Sequence, residues 1–321
     1  MQDLFLIAFG VLFLFLGGDG MVRSTVAIAE KLKLSNLVIS TVIIGFGTSL
    51  PELLVSLSAA LDGFPQIAIG NVVGSNISNS LLVLGVAAFI TTIHCQNPQI
   101  KKDAAMGFIA TLFLVLLSFI GIINRITGIF MLLTIISYLT YIIMYKQHEI
   151  STHKKEYKKI DKAIEKQTKA KQKSLISSII ITLLSLVILV IGAKLLINGA
   201  VSIAKSLGIS NAVIGLTLVA LGTSIPELAT ASIAAWRKHT DIVIGNILGS
   251  NLFNILSILG ITAIVKPIPF IGQIASQDVW VMLAISIMVL LLINFRGEFS
   301  RFNGLLFLVT YVLYIYWLFF I

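Results

Sequence analysis

Cysteine is nearly absent. The single Cys95 excludes an internal disulfide framework, and with four scattered histidines (His94, His148, His153, His239) it makes no Cys/His metal cluster. Charge is scarce too: 12% of residues are Asp, Glu, Lys or Arg, and a mean hydropathy of +1.02 excludes an ordinary soluble domain. Acidic residues number 14 against 23 basic ones, a formal charge of +9. That surplus does not point to nucleic acid, because the lysines gather in one loop and in short connections beside apolar runs, as the positive-inside rule describes. The opening MQDLFLIAFGVLFLFLGG lacks a basic n-region and a small-x-small cleavage site, so it reads as a retained first span and not a signal peptide.

What remains is 57% hydrophobic and arranged in runs long enough to cross a bilayer as helices. Ten spans are expected, over roughly 2–22, 37–61, 66–93, 104–123, 126–145, 175–199, 212–236, 241–265, 277–294 and 304–321. Three segments follow: a first five-span repeat (1–145), a basic solvated linker (146–174) too short for a folded domain, and a second five-span repeat (175–321). With the N-terminus outside, 19 of the 23 Lys and Arg fall on the cytoplasmic side, leaving Arg125, Lys194, Lys205 and Lys266 on the other. The chain is therefore expected as a monomeric, multi-pass protein of the plasma (cell inner) membrane, both termini outside. Its partners would be the lipid bilayer and small ions, with no nucleic acid and no cofactor.

The two halves repeat. Ser35–Gly85 and Ser210–Gly260 align without a gap at an offset of 175, with 23 identities in 51 positions. GTSLPE (Gly47–Glu52) and GNVVGSNISN (Gly70–Asn79) return as GTSIPE (Gly222–Glu227) and GNILGSNLFN (Gly245–Asn254). An odd number of spans per half makes the second half cross in the opposite sense. The expected fold is thus an all-α membrane protein of ten transmembrane helices in two inverted-topology five-helix repeats.

Glu52 and Glu227 read as the only carboxylates deep inside apolar segments, and a carboxylate in hydrocarbon is costly unless it binds something. Pro51 and Pro226, inside their spans, are expected to free the carbonyls of Gly47 and Gly222 and to loosen those of Thr48 and Thr223. Each half would then offer a carboxylate, carbonyl oxygen and a hydroxyl from Ser49 or Ser224. In the following span Asn71, Ser75 and Asn79, and likewise Asn246, Ser250 and Asn254, are spaced by four and share a helix face. Gly70, Gly74, Gly245, Gly249, Asn71 and Asn246 read as interhelical packing and hydrogen-bond glue, whereas Ser75, Asn79, Ser250 and Asn254 read as ion ligands. Asp19 and its counterpart Lys194 read as residues snorkelling to opposite interfaces.

Two converging carboxylates in low dielectric need compensation, by one divalent cation, two monovalent cations or two protons. A site that cannot stand empty and charged gives obligatory exchange. Oxygen-only ligands favour calcium over zinc or copper, and over magnesium, which gives up its waters reluctantly. A channel using the same oxygens fits broken helices around a midplane site less well than a carrier does. A hydrolase has no nucleophile or metal cluster to use, so no enzymatic activity is expected.

The repeated motif pair resembles the alpha-repeats of the calcium/cation antiporter superfamily, the sodium/calcium exchangers, and the likeness spans essentially the whole chain. The resemblance implies Glu52 and Glu227 as central calcium ligands with carbonyl help from Thr48 and Thr223. It implies Ser49, Ser75, Asn79, Ser224 and Ser250 beside sodium, and alternating access in which the first and sixth spans slide together against the other eight. Asn254 stands where sodium-coupled members carry an aspartate, so the driving ion stays open between sodium, proton and a potassium-dependent mode.

Overall fold

The computed structural model describes residues 2–32, 34–152, 174–206 and 222–318. It is helical apart from two short ribbons. The helices are α1 (Gln2–Leu32), α2 (Asn36–Thr48), α3 (Leu50–Leu61), α4 (Pro65–Ile90), α5 (Pro98–Ile120), α6 (Arg125–Thr152), α7 (Leu175–Ser206), α8 (Ile225–Trp236), α9 (Thr240–Val265), α10 (Ile274–Arg296) and α11 (Arg301–Leu318). Among the described residues eight helices are long and apolar enough to cross a membrane, and the bent pair α2 and α3 would be a ninth. The first part of the expected span 212–236 lies outside the described residues, as does most of the linker. Several boundaries differ from the sequence reading. The first span runs ten residues further, to Leu32, and the fourth begins at Pro98, capped by the Asn97 side chain on the Gln99 amide. Helix α6 continues to Thr152, so the linker's first residues are helical.

The core is built around α4 and α9, the most enclosed spans at 72% and 83% buried. Both are interrupted by a π-helical turn, at Asn79–Val83 and at Phe253–Ile258. Such turns widen the helix and re-aim the side chains that follow, and nothing in the hydropathy pattern announced them. Helix α9 lies against α2 at very short range: a Cβ on Gly249 would stand 2.6 Å from the Thr41 carbonyl oxygen, and one on Gly245 2.8 Å from that of Leu37. Those two glycines act as the small-residue seam expected of them. Gly70 meets only the Ile274 side chain and Gly74 nothing within 4 Å. The matching partner segment in the repeat, 212–220, lies outside the described residues.

Contacts recur between the halves, at an offset of 175 up to His94 and 176 from Ile122 on. Strand β1 (Ile93–His94) pairs with β4 (Glu298–Phe299), and β2 (Ile122–Ile123) pairs with β3 (Ile268–Pro269), so exchanging the halves turns one ribbon into the other. The glycine contacts behave alike: Gly304 faces the Gly85 carbonyl, and Gly128 faces that of Gly260. Helices α1 and α7 run antiparallel, since Gly10 lies against Gly192 and Leu196, Gly17 against Ser185 and Leu189, and Gly199 against Asp3 and Leu6.

Candidate ion-binding site

Helix α2 ends at Thr48. Ser49 (φ −85°, ψ 4°) leaves helical geometry, α3 restarts at Leu50, and the two are bent by 41°. Ser224 repeats the break (φ −87°, ψ 2°) before α8. The prolines therefore fall in the first turn of a new helix and not in the interior of a continuous one. There a missing amide hydrogen removes no helical bond, because first-turn amides have no helical acceptor. The Gly47 carbonyl, expected to be freed, accepts from the Ser49 amide. Glu52 and Glu227 each occupy the first turn of their half-helix, where the positive end of the backbone dipole favours a carboxylate.

Both carboxylates are buried, Glu52 at 0% and Glu227 at 1% exposure, and they are near enough to repel one another. Among the described residues neither oxygen of Glu52 makes a hydrogen bond of regular geometry, nor does Oε2 of Glu227. Among the described residues Ser75 Oγ, Ser224 Oγ, Asn79 Oδ1 and Asn254 Oδ1, on the repeated motif, are also buried without partners. Buried polar atoms are rarely left unpaired, and oxygens of carboxylate, hydroxyl and amide groups are the donors a hard cation takes; the Nδ2 atoms of Asn76 and Asn246 are unpartnered as well.

The halves interlock at this point. Ser49 Oγ donates to Glu227 Oε1 (3.3 Å), the Thr48 side chain lies beside Glu227, and that of Thr223 lies beside Glu52. Sequence spacing placed Thr48 and Glu52 on one helix face; the break turns each threonine toward the carboxylate of the other half instead. The Thr48 hydroxyl donates to the Ile44 carbonyl (2.9 Å) and meets Asn246 Oδ1 (3.4 Å). Ser250 donates to the Gly45 carbonyl (3.2 Å), leaving its lone pairs as ligand positions. Asn71 holds the Glu52 carbonyl (3.2 Å) and Ser56 Oγ (3.0 Å), which matches its reading as hydrogen-bond glue.

Four residues escaped the sequence reading. Asn76 and Asn251 link the stripes, with Asn79 Nδ2 bonded to Asn251 Oδ1 (3.2 Å) and Asn254 Nδ2 to Asn76 Oδ1 (3.4 Å). They occupy the same motif at the same offset, one residue and so about 100° round the helix from the face of Ser75 and Ser250. Asp103 and Asp278 are also buried carboxylates (1% and 8%), so Glu52 and Glu227 are not alone. Each is satisfied by a tyrosine, Asp103 by Tyr138 (2.6 Å) and Asp278 by Tyr314 (3.0 Å). Extending the offset beyond the motif would have paired them. Asp19 differs from expectation as well: it is bound by Arg23 (2.8 Å) and Arg237. A cavity of about 420 Å³ between α7 and α8, lined by Leu196, Ile197, Ala200, Ile225 and Leu228, reaches Ser224.

Comparison with known proteins bears on this arrangement. Residues 3–144 and 177–320 match the family described as sodium/calcium exchanger protein. The chain belongs to that family. The sodium/calcium exchanger MaX1 of Methanosarcina acetivorans is 33% identical over 97% of both chains, and the putative antiporter CaxA of Alkalimonas amylolytica is 32% identical over 97% of this chain and 96% of its own. Among solved structures, the sodium–calcium exchanger NCX_Mj soaked with Na+ and Sr2+ superposes with a TM-score of 0.81 at 30% identity, covering 98% of this chain and 97% of that one. The match to the exchanger family runs through both halves, each carrying one half-helix break and one buried glutamate.

Proposed function

We propose that this exchanger moves Ca2+ against Na+ across the plasma membrane by alternating access, binding both at Glu52 and Glu227. The carrying observation is the pair of buried carboxylates with three unpartnered oxygens, in the two half-helices that Ser49 Oγ and Glu227 Oε1 join, with further unpartnered Ser and Asn oxygens on the repeated motif. Removing two carboxylates from water without compensation is very costly, and a calcium ion or two sodium ions supplies the compensation. Calcium takes six to eight oxygens in flexible geometry. The two carboxylates, Ser49, Ser75, Ser224, Ser250, Asn79 and Asn254, with the carbonyls of Thr48 and Thr223, can furnish that number. Sodium would share the same oxygens, so the two ions exclude one another and exchange becomes obligatory.

The architecture in this reading is ten helices in two inverted halves, 1–145 and 175–321, joined by the linker 146–174. The antiparallel packing of α1 on α7, equivalent helices of the two halves, supports inversion: it puts the relating two-fold axis perpendicular to both helices and so in the membrane plane. The lysine and arginine distribution supports a cytoplasmic linker and external termini. A single chain would suffice, since each half contributes to the same site.

Calcium uptake into proteoliposomes holding the purified protein tests this. Uptake that needs an outward sodium gradient is the expected result. Uptake driven only by an outward proton gradient would replace sodium with protons as the counter-ion, and uptake with neither would overturn the antiport reading.

A further inference from the structure

The offset that superposes the halves carries Asp19 onto Lys194 and Asp62 onto Arg237. No identity survives at either position, yet the pairing of opposite charges does: Asp19 with Arg237 in one combination, Lys194 with Asp62 in the other. The first pair is made. Asp19 on α1 binds Arg237 at the end of α8, with side-chain exposures of 18% and 30%, and Arg23 joins it one turn further along α1. The second pair is apart. Lys194 on α7 and Asp62 at the end of α3 are both exposed, and among the described residues no ion pair joins them.

The apolar surfaces tell the same story. Helix α1 covers α8: a Cβ on Gly18 would stand 2.5 Å from Ile233 Cδ1, Ile233 is 7% exposed, and Phe15 meets Trp236 at 6.1 Å between ring centroids. The corresponding face of α3 is bare. Leu54, counterpart of Ala229, is 66% exposed, and Ser58, counterpart of Ile233, is exposed as well. The cavity reaching Ser224 runs beside α7 two residues beyond Lys194. One face of the molecule is thus closed over its half-helix and the other is open, although the halves carry equivalent parts. Helices α1 and α7 are packed on each other backbone to backbone, so a shift of one carries the other.

We propose that Asp19–Arg237 and Lys194–Asp62 are reciprocal gating pairs, each formed when its own face of the membrane is shut and broken when that face opens. This rests on the alternating-access reading above. Closing the open face would bring α7 onto α3, bury Leu54, and seat Lys194 against Asp62, in competition with Lys266, whose Nζ already reaches the neighbouring Leu61 carbonyl (3.4 Å). The same shift would draw α1 off α8 and part Asp19 from Arg237. These four are positioning residues that set which face is open and touch no transported ion.

Disulfide trapping tests the geometry in a Cys95→Ala background. One variant carries Asp19→Cys with Arg237→Cys, a second Asp62→Cys with Lys194→Cys, and a third all four. Each is reconstituted and oxidised in sodium, in calcium and in neither. The expected result is a disulfide in each two-cysteine variant and never both on one molecule of the third, read by mass under non-reducing conditions. Both disulfides on one molecule, or no Asp62–Lys194 crosslink in any ion while the other forms, overturns the proposal. Charge reversal gives the second measurement: Lys194→Asp should slow exchange about fivefold, and adding Asp62→Lys should restore it. A swap that restores nothing also overturns it. Mutually exclusive crosslinks without sodium-driven calcium flux would uphold the gates and discard the antiport reading; flux without the second crosslink would do the reverse.

Discussion

Glu52 and Glu227 are equivalent by sequence but differ in what surrounds them. Glu227 Oε1 accepts from Ser49, whereas Glu52 has the Thr223 side chain beside it and, among the described residues, no hydrogen bond of regular geometry. A neutral amide keeps the shape of either side chain while removing the charge that compensates a cation. Glu52→Gln and Glu227→Gln should therefore each abolish sodium-driven calcium uptake while the protein remains monodisperse in detergent. Calcium titration of the purified variants should show binding lost, and near-normal uptake in either would remove the shared site. Much of this was legible from one line of reasoning: a carboxylate inside an apolar run needs a purpose. The same reasoning was too narrow for Asp103 and Asp278, whose purpose is a tyrosine hydroxyl on a neighbouring helix, a partner that sequence distance conceals.

At the scale of the element, the half-helix is the unit that makes the site. A proline two residues past a Thr-Ser pair announced a distortion, but the structure shows a full break with a helix start, which places each glutamate at a helix N-terminus. The cross-pairing of Thr48 with Glu227 was not legible, since it depends on how two separately read segments dock. Nor were the π-turns at Asn79 and Phe253, which alter helix phase without altering hydropathy. The seam between α2 and α9 was legible through its glycines. Gly249→Val would drive a branched side chain into the Thr41 carbonyl, 2.6 Å from the position of its first carbon. Overpacking of this kind costs about 1–3 kcal/mol or more. The melting temperature in detergent should drop by several degrees, while Gly74→Ala, with nothing within 4 Å among the described residues, should shift it far less.

For the molecule as a whole, the charges of the proposed ligands predict a stoichiometry. Asn79 and Asn254 are neutral, so Glu52 and Glu227 supply the only full charges among the proposed ligands. One calcium cancels both, and so do two sodium ions; a cycle carrying each load in turn moves no net charge. Initial uptake should be insensitive to a membrane potential set with potassium and valinomycin. Asn254→Asp adds a third charge and should make the rate depend on that potential. A wild-type rate that follows the potential would show that another group or a third sodium takes part.

The two ribbons have a consequence of a different kind. Strand β1 belongs to the first half and finds its partner β4 in the second, while β3 of the second finds β2 in the first. With α1 on α7 and Ser49 on Glu227, each half also takes from the other a packing surface and a hydrogen bond at its glutamate. The peptide between them carries none of these contacts. With the halves inverted as proposed, the chain is built as a two-fold pair of its own halves, and two separate half-chains inserted in opposite senses should assemble the same contacts. Because both halves sit in one chain, matched positions need not match in charge, and Asp19 in one half stands opposite Lys194 in the other.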